Sequence, residues 1–132
     1  MNTITKSPAQ IARETIETLF TTHNVSVLDP HPGMESLKKV FPAFIKGLPD
    51  VRIELQQQVV DGNRVASHWV FQGTHSGDLY GIPPTGKSVR FQNINIMNIE
   101  EGKIVQYNSE VGWLALFMQI GFLPLKTDAA NQ

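Results

Sequence analysis

Four histidines and twelve acidic side chains carry the titratable chemistry of this 132-residue chain, which has no cysteine. A carboxyl group in an apolar cavity has its pKa raised toward neutrality and can exchange protons with a carbonyl compound. An imidazole beside it can protonate the carbonyl, and side-chain amides can donate to the oxyanion that develops. Glu110 and His68 are the candidates for proton transfer, and Asn98 and Asn108 for the donors. Gln57 and Gln72 accompany them. His23 and His31 show no metal-ligand spacing to each other or to a carboxylate cluster, so no metal site is expected. The absence of cysteine removes disulfides, thiol catalysis and thiolate metal sites.

Several elements must position these groups. Ser7 and Pro8 read as the cap and first residue of a helix. Ile11, Ala12, Ile16, Leu19 and Phe20 form its apolar face. A loop, Asp29-Pro30-His31-Pro32-Gly33, leads to a second helix from about Met34. Leu37, Val40, Phe41, Phe44 and Ile45 line that helix, and Pro42 within it predicts a kink or break.

From Val51 the period becomes two, with Val51, Ile53, Leu55 and Val59 apolar. Asp61-Gly62 predicts a hairpin to a strand over Arg64–Gly73. A Gly/Pro-rich loop follows over Thr74–Gly86, then strands over Lys87–Ile99 and Lys103–Val111, and a short helix over Trp113–Ile120. Helices, an antiparallel meander and a final helix make an α+β fold. A sheet of this size curls around the helices, which predicts a cone-shaped curved antiparallel sheet packed on the N-terminal helices and enclosing a cavity. Residues 1–124 are expected to form a single domain and 125–132 a flexible tail.

Opposite residues in a tight hairpin share a face, so the apolar odd residues of the first strand would turn Ala66, His68, Val70 and Gln72 inward. Trp69 and Phe71 would then point outward. A bulge would invert these assignments.

Composition narrows the partners. Eleven basic residues oppose twelve acidic ones, and charged residues are only 17 % of the chain. Lys38-Lys39 is the only adjacent basic pair, so nucleic-acid binding is not expected. No apolar run reaches the ~20 residues of a membrane helix. A cytoplasmic protein is expected.

Three stretches resemble one family. Gly73-Thr74-His75-Ser76-Gly77 with Gly81-Ile82-Pro83-Pro84-Thr85-Gly86 is similar to the central loop of SnoaL-like polyketide cyclases. Glu101–Val105 resembles the family's last-strand start, and Leu116–Gly121 its C-terminal helix ending. Asp29–Phe41 resembles its approach to a helix. The wider superfamily is similar to nuclear transport factor two and ketosteroid isomerase. The resemblance implies cofactor-free chemistry on a small lipophilic carbonyl compound, and a dimer formed through the sheet. By the same transfer Ile94, Ile96, Asn98, Ile104, Gln106, Asn108 and Glu110 face the cavity.

The chain departs from the family where its acid/base Asp and its Trp would fall, at Gly112 and Asn108. It is also shorter between the first helix and Asp29. Two functions follow: a cofactor-free cyclase, isomerase or hydrolase using Glu110 and His68, or a small-molecule-binding protein without catalysis. Tyr80 either lines the cavity mouth or packs the loop, and His75 either braces the loop by hydrogen bonds or touches substrate. Outward Trp69, Phe71 and Phe91 would form the homodimer face.

Overall fold

The computed structural model describes residues 5–122; the expected tail at 125–132 lies outside them. Helix α1 spans Pro8–Thr22. Ser7 Oγ accepts the Gln10 N–H at 3.2 Å and Gln10 Oε1 accepts the Ser7 N–H at 2.9 Å. This capping box satisfies two otherwise free donors and stabilises the helix by about 1 kcal/mol. Ala12, Ile16 and Leu19 form the buried face of α1. Two short 3-10 turns, Val25–Leu28 and Pro32–Met34, lead into α2, Glu35–Gly47. The helix runs through Pro42 without the expected break. Proline removes only one intrahelical donor, and Phe41 and Phe44 on either side are anchored in the core.

Four strands follow in sequence order: β1 Arg52–Asp61, β2 Arg64–Thr74, β3 Ser88–Glu100 and β4 Lys103–Val111. Each pairs antiparallel with the next, giving a curved, unclosed sheet. Helix α3, Trp113–Gln119, completes the α+β fold. No described helix is long and apolar enough to cross a membrane.

Two bulges decide which side chains face the helices. In β1, Leu55 pairs with Trp69 and Gln57 with His68, leaving Gln56 without an opposite residue. The hairpin pairs Val59–Ala66 and Gln57–His68 lie on the convex face, but Leu55–Trp69 and Ile53–Phe71 lie on the concave face. In β4, Ile99 pairs with Ile104 and Asn98 with Gln106, so Val105 is extra. Ile104 is therefore buried, whereas Gln106, Asn108 and Glu110 are exposed.

The expected facing of β2, β3 and β4 is corrected by these bulges. Trp69, Phe71 and Phe91 do not form an outer face: all three are buried under the helices. Phe71 meets Phe91 edge-on at 5.3 Å and Phe20, tilted, at 5.2 Å. Full burial of such a ring contributes about 1.5–3 kcal/mol. Ile94 and Ile96 lie on the opposite face and are 50 % exposed.

The Asp29–Gly33 segment packs on the β4 bulge. A Cβ on Gly33 would lie 2.5 Å from the Val105 carbonyl carbon, so only glycine fits this approach. His31 Nδ1 accepts the Ile104 N–H at 2.9 Å. The loop after β2 is fastened similarly. Gly77 N–H donates to the Gly47 carbonyl at 3.3 Å, and a side chain there would collide with the Lys46 carbonyl oxygen.

Candidate functional site

A cavity of about 330 Å³ opens between α1, α2, the concave sheet face and the start of α3. Its walls are rich in aromatic side chains, Phe20, Phe41, Phe44, Phe71 and Trp113 among them. Phe44 makes edge contacts with Phe71 at 6.1 Å and Trp113 at 6.3 Å. Tyr80 stands at the mouth, its ring 5.7 Å from Trp113 in an edge arrangement. A turn with positive φ at both Tyr80 (50°) and Gly81 (88°) presents it there. Asp78 Oδ2 holds that turn by accepting the Gly81 N–H at 3.0 Å.

One polar strip interrupts the aromatic wall. Asn93, Tyr107 and Ser109 all line the cavity. The β3–β4 register sets Asn93 opposite Val111, Asn95 opposite Ser109 and Met97 opposite Tyr107, all on the concave face. Asn93 Nδ2 donates to Ser109 Oγ at 2.6 Å and also reaches the Glu110 carbonyl at 3.4 Å. Asn95 Nδ2 donates to Asn93 Oδ1 at 3.3 Å. Burial pushes the Tyr107 phenol pKa up, against a smaller opposing effect of a hydrogen bond with Ser109. Burial also raises that of Tyr80. Among the described residues, the buried Trp69 Nε1–H and Asn95 Oδ1 have no protein partner.

The expected catalytic pair lies elsewhere. His68 and Glu110 both sit on the convex face, in one cross-strand row with Ile94 between them. His68 Nε2–H donates to Gln92 Oε1 at 2.5 Å. Gln57 stands opposite His68, Gln72 opposite Arg90, and Asn98 between Arg64 and Gln106. None of these lines the cavity. Asn108 borders it from between Tyr107 and Ser109, although Asn108 stands in the convex row opposite Ile96. His75 is fully buried; its Nδ1 accepts the Thr85 N–H at 3.3 Å and lies 3.0 Å from Thr85 Oγ1. That geometry braces the loop. Of the expected ligand contacts, Tyr80 and Asn108 line the cavity.

No Asp, Glu, His, Lys or Arg lines the cavity among the described residues. Nor does any group of three or more potential metal ligands gather among them. The arrangement can enclose a flat apolar molecule and hydrogen-bond a carbonyl or hydroxyl group on it. The residues that sequence reasoning missed are Tyr107, Ser109, Asn93 and Asn95. A signal for the last two exists in β3: Val89, Phe91, Met97 and Ile99 are apolar at odd positions, whereas Arg90, Gln92 and Asn98 are polar at even ones. The strand ends thus turn the odd residues inward.

A curved, unclosed antiparallel sheet covered by helices, with an aromatic-rich cavity carrying a polar strip, defines the α+β class of fold. The sequence model of the SnoaL-like polyketide cyclases matches residues 3–120, and the chain belongs to that family. No curated protein matches the sequence. Solved structures share the fold. TsrD from Streptomyces laurentii is 23 % identical with a TM-score of 0.78, covering 92 % of this chain and 100 % of its own. AclR from Streptomyces galilaeus, a candidate hydroxylase, is 20 % identical with a TM-score of 0.79, covering 89 % and 82 %. A SnoaL-like polyketide cyclase from Agrobacterium tumefaciens is 20 % identical with a TM-score of 0.71, covering 89 % and 100 %.

Proposed function

We propose that this protein takes a small lipophilic carbonyl compound into the concave cavity and polarises its carbonyl with the polar strip. The observation that carries this reading is the placement of Tyr107, Ser109 and Asn93 together in a cavity otherwise lined chiefly by apolar side chains. Hydrogen-bond donors in a water-poor pocket stabilise an enolate more strongly than water-exposed ones do. Ring closure of a substrate that brings its own enol is the reaction class in keeping with family membership: the enol carbon bonds to the polarised carbonyl carbon, and the enol O–H proton passes to the former carbonyl oxygen. Binding without conversion is the second reading, favoured by the absence of carboxylates and imidazoles from the described cavity lining.

A lipophilic aryl ketone, 2-acetylnaphthalene, tests the shared part of both readings by calorimetric titration. Saturable binding that Leu37→Trp weakens at least tenfold supports the cavity; binding insensitive to that substitution contradicts it. Mass spectrometry of the compound recovered from the protein's natural ligand pool separates the readings. A ring-closed product supports catalysis, and an unchanged compound supports binding alone.

We further propose that two copies pair through the convex sheet face. Ile94 and Ile96 on β3 and Val59 on β1 are 50 %, 50 % and 63 % exposed. Ala66 lies between Val59 and Ile96 in the same cross-strand row. The strip is apolar at its centre and rimmed by His68, Gln92, Asn108 and Glu110, the anatomy of an interface. A sheet face packs naturally on a second copy of itself.

A further inference from the structure

We propose that the open edge of β4 is a main-chain binding site, at which the Ser109 N–H donates to a ligand carbonyl and the Ser109 carbonyl accepts an N–H or O–H beside it. The inference deepens the cavity reading above and rests on it for where the ligand lies. β4 is the last strand of the sheet and pairs on one side only. In an antiparallel pair, alternate residues turn both main-chain groups toward the partner strand, and the residues between them turn both away. Three bonds fix the alternation here. Gly112 N–H donates to the Gln92 carbonyl at 2.8 Å, and the register carries these two opposite each other, one step past Asn93–Val111. Gln106, Asn108 and Glu110 therefore bond to β3, and Tyr107, Ser109 and Val111 turn their main-chain groups to the open edge. On the other side of β3 the Ile99 N–H donates to the Asn63 carbonyl at 2.9 Å, so the odd residues of β3 bond to β2 and the even ones to β4. Before the bulge, Ile104 turns its N–H outward, and His31 Nδ1 accepts it at 2.9 Å.

Among the described residues, no hydrogen bond reaches the outward groups of Tyr107, Ser109 or Val111. All three residues line the cavity, and Asn108 borders it although it stands in the convex row. Main chain at the strand edge accounts for that contact. Ser36 and Val40 of α2 belong to the same lining, so the edge faces the gap between β4 and α2. An outward residue offers one donor and one acceptor side by side. A carboxamide or an enolised dicarbonyl matches both at once, whereas a simple ketone matches the donor alone. The site selects the first class over the second.

Exchange of backbone amide hydrogens with deuterated water tests the edge before any ligand is added. Corrected for intrinsic rates, the amides of Tyr107, Ser109 and Val111 should exchange about tenfold faster than those of Asn108 and Glu110. Equal protection along 107–111 overturns the proposal. The ligand arm compares 2-naphthamide with 2-acetylnaphthalene, which differ only by an amino group in place of a methyl group. The amide should bind about threefold tighter, the gain from one neutral hydrogen bond, and should slow exchange of the Ser109 N–H. Ser109→Ala keeps the main-chain groups and should keep this ratio of affinities even where both fall. Ser109→Pro removes the N–H without touching a bond to β3, as an edge strand allows, and should weaken both compounds about threefold beyond Ser109→Ala. The exchange readouts use the unmodified protein and decide the question even where the proline variant does not fold. A compound bound against Phe71 and Trp113 with the Ser109 amide unchanged in shift and exchange overturns the edge site and leaves the cavity reading intact. Failure of both compounds to bind overturns the cavity reading and the edge site with it.

Discussion

His31 Nδ1 accepts the backbone N–H of Ile104 at 2.9 Å, one residue before the bulge that turns Tyr107 into the cavity. Burial, and to a lesser degree the Lys103 ammonium, hold the His31 pKa below the ordinary imidazole value of 6.5. The unfolded chain therefore takes up a proton near 6.5 that the folded state refuses until lower pH. Stability should be fully present above that value and fall as the solution is acidified through the window below it. His31→Asn keeps an acceptor without a titrating ring. Urea midpoints at about pH 8 and about pH 5 should differ more in the parent than in this variant; an equal difference in both removes His31 from the account.

Gly33 makes the companion contact to the same bulge. A methyl group there would meet the Val105 backbone at 2.5 Å. Gly33→Ala should destabilise the fold by roughly 1–3 kcal/mol, the range for forced overpacking. Equilibrium unfolding in urea checks it, and an unchanged midpoint would mean that the segment is not pressed against β4.

The convex strip gives a prediction about assembly. Ile96→Glu places a charge in its centre and should shift the protein to a monomer in size-exclusion chromatography with light scattering. An unmodified protein that is already monomeric at micromolar concentration contradicts the proposed pairing.

The two faces also separate in binding. Glu110→Gln alters a side chain on the convex face and should leave 2-acetylnaphthalene affinity within about twofold. Tyr107→Phe removes a hydroxyl group of the polar strip and should weaken it by about fivefold to tenfold, corresponding to roughly 1–1.4 kcal/mol. The reverse ranking in calorimetry would return the site to the face of His68 and Glu110.

The elements themselves are legible in the sequence because each carries its own local signal. Ser7-Pro8 starts α1, and Asp61-Gly62 and Glu101-Gly102 turn the strands. Even the hairpin pairs Gln57–His68 and Val59–Ala66 follow from the turn. Facing is a different matter, since it is carried along a strand only while no residue is extra. Gln56 shifts β1 and Val105 shifts β4, and neither has a side chain that marks a bulge. The Val105 bulge is held from a distance by His31 and Gly33, about seventy positions earlier in the chain. One slip exchanges His68 for Trp69, and the other exchanges Glu110 for Ser109. His68 and Glu110, expected on the cavity side, consequently lie on the convex face, while Tyr80, held by its own turn, lines the cavity.

The most direct test of the concave site is a map of intermolecular nuclear Overhauser effects from bound 2-acetylnaphthalene to assigned side chains. The account predicts contacts to Phe71, Tyr107 and Trp113, with the acetyl group nearest Tyr107. Contacts to His68, Ile94 and Glu110 instead would contradict it.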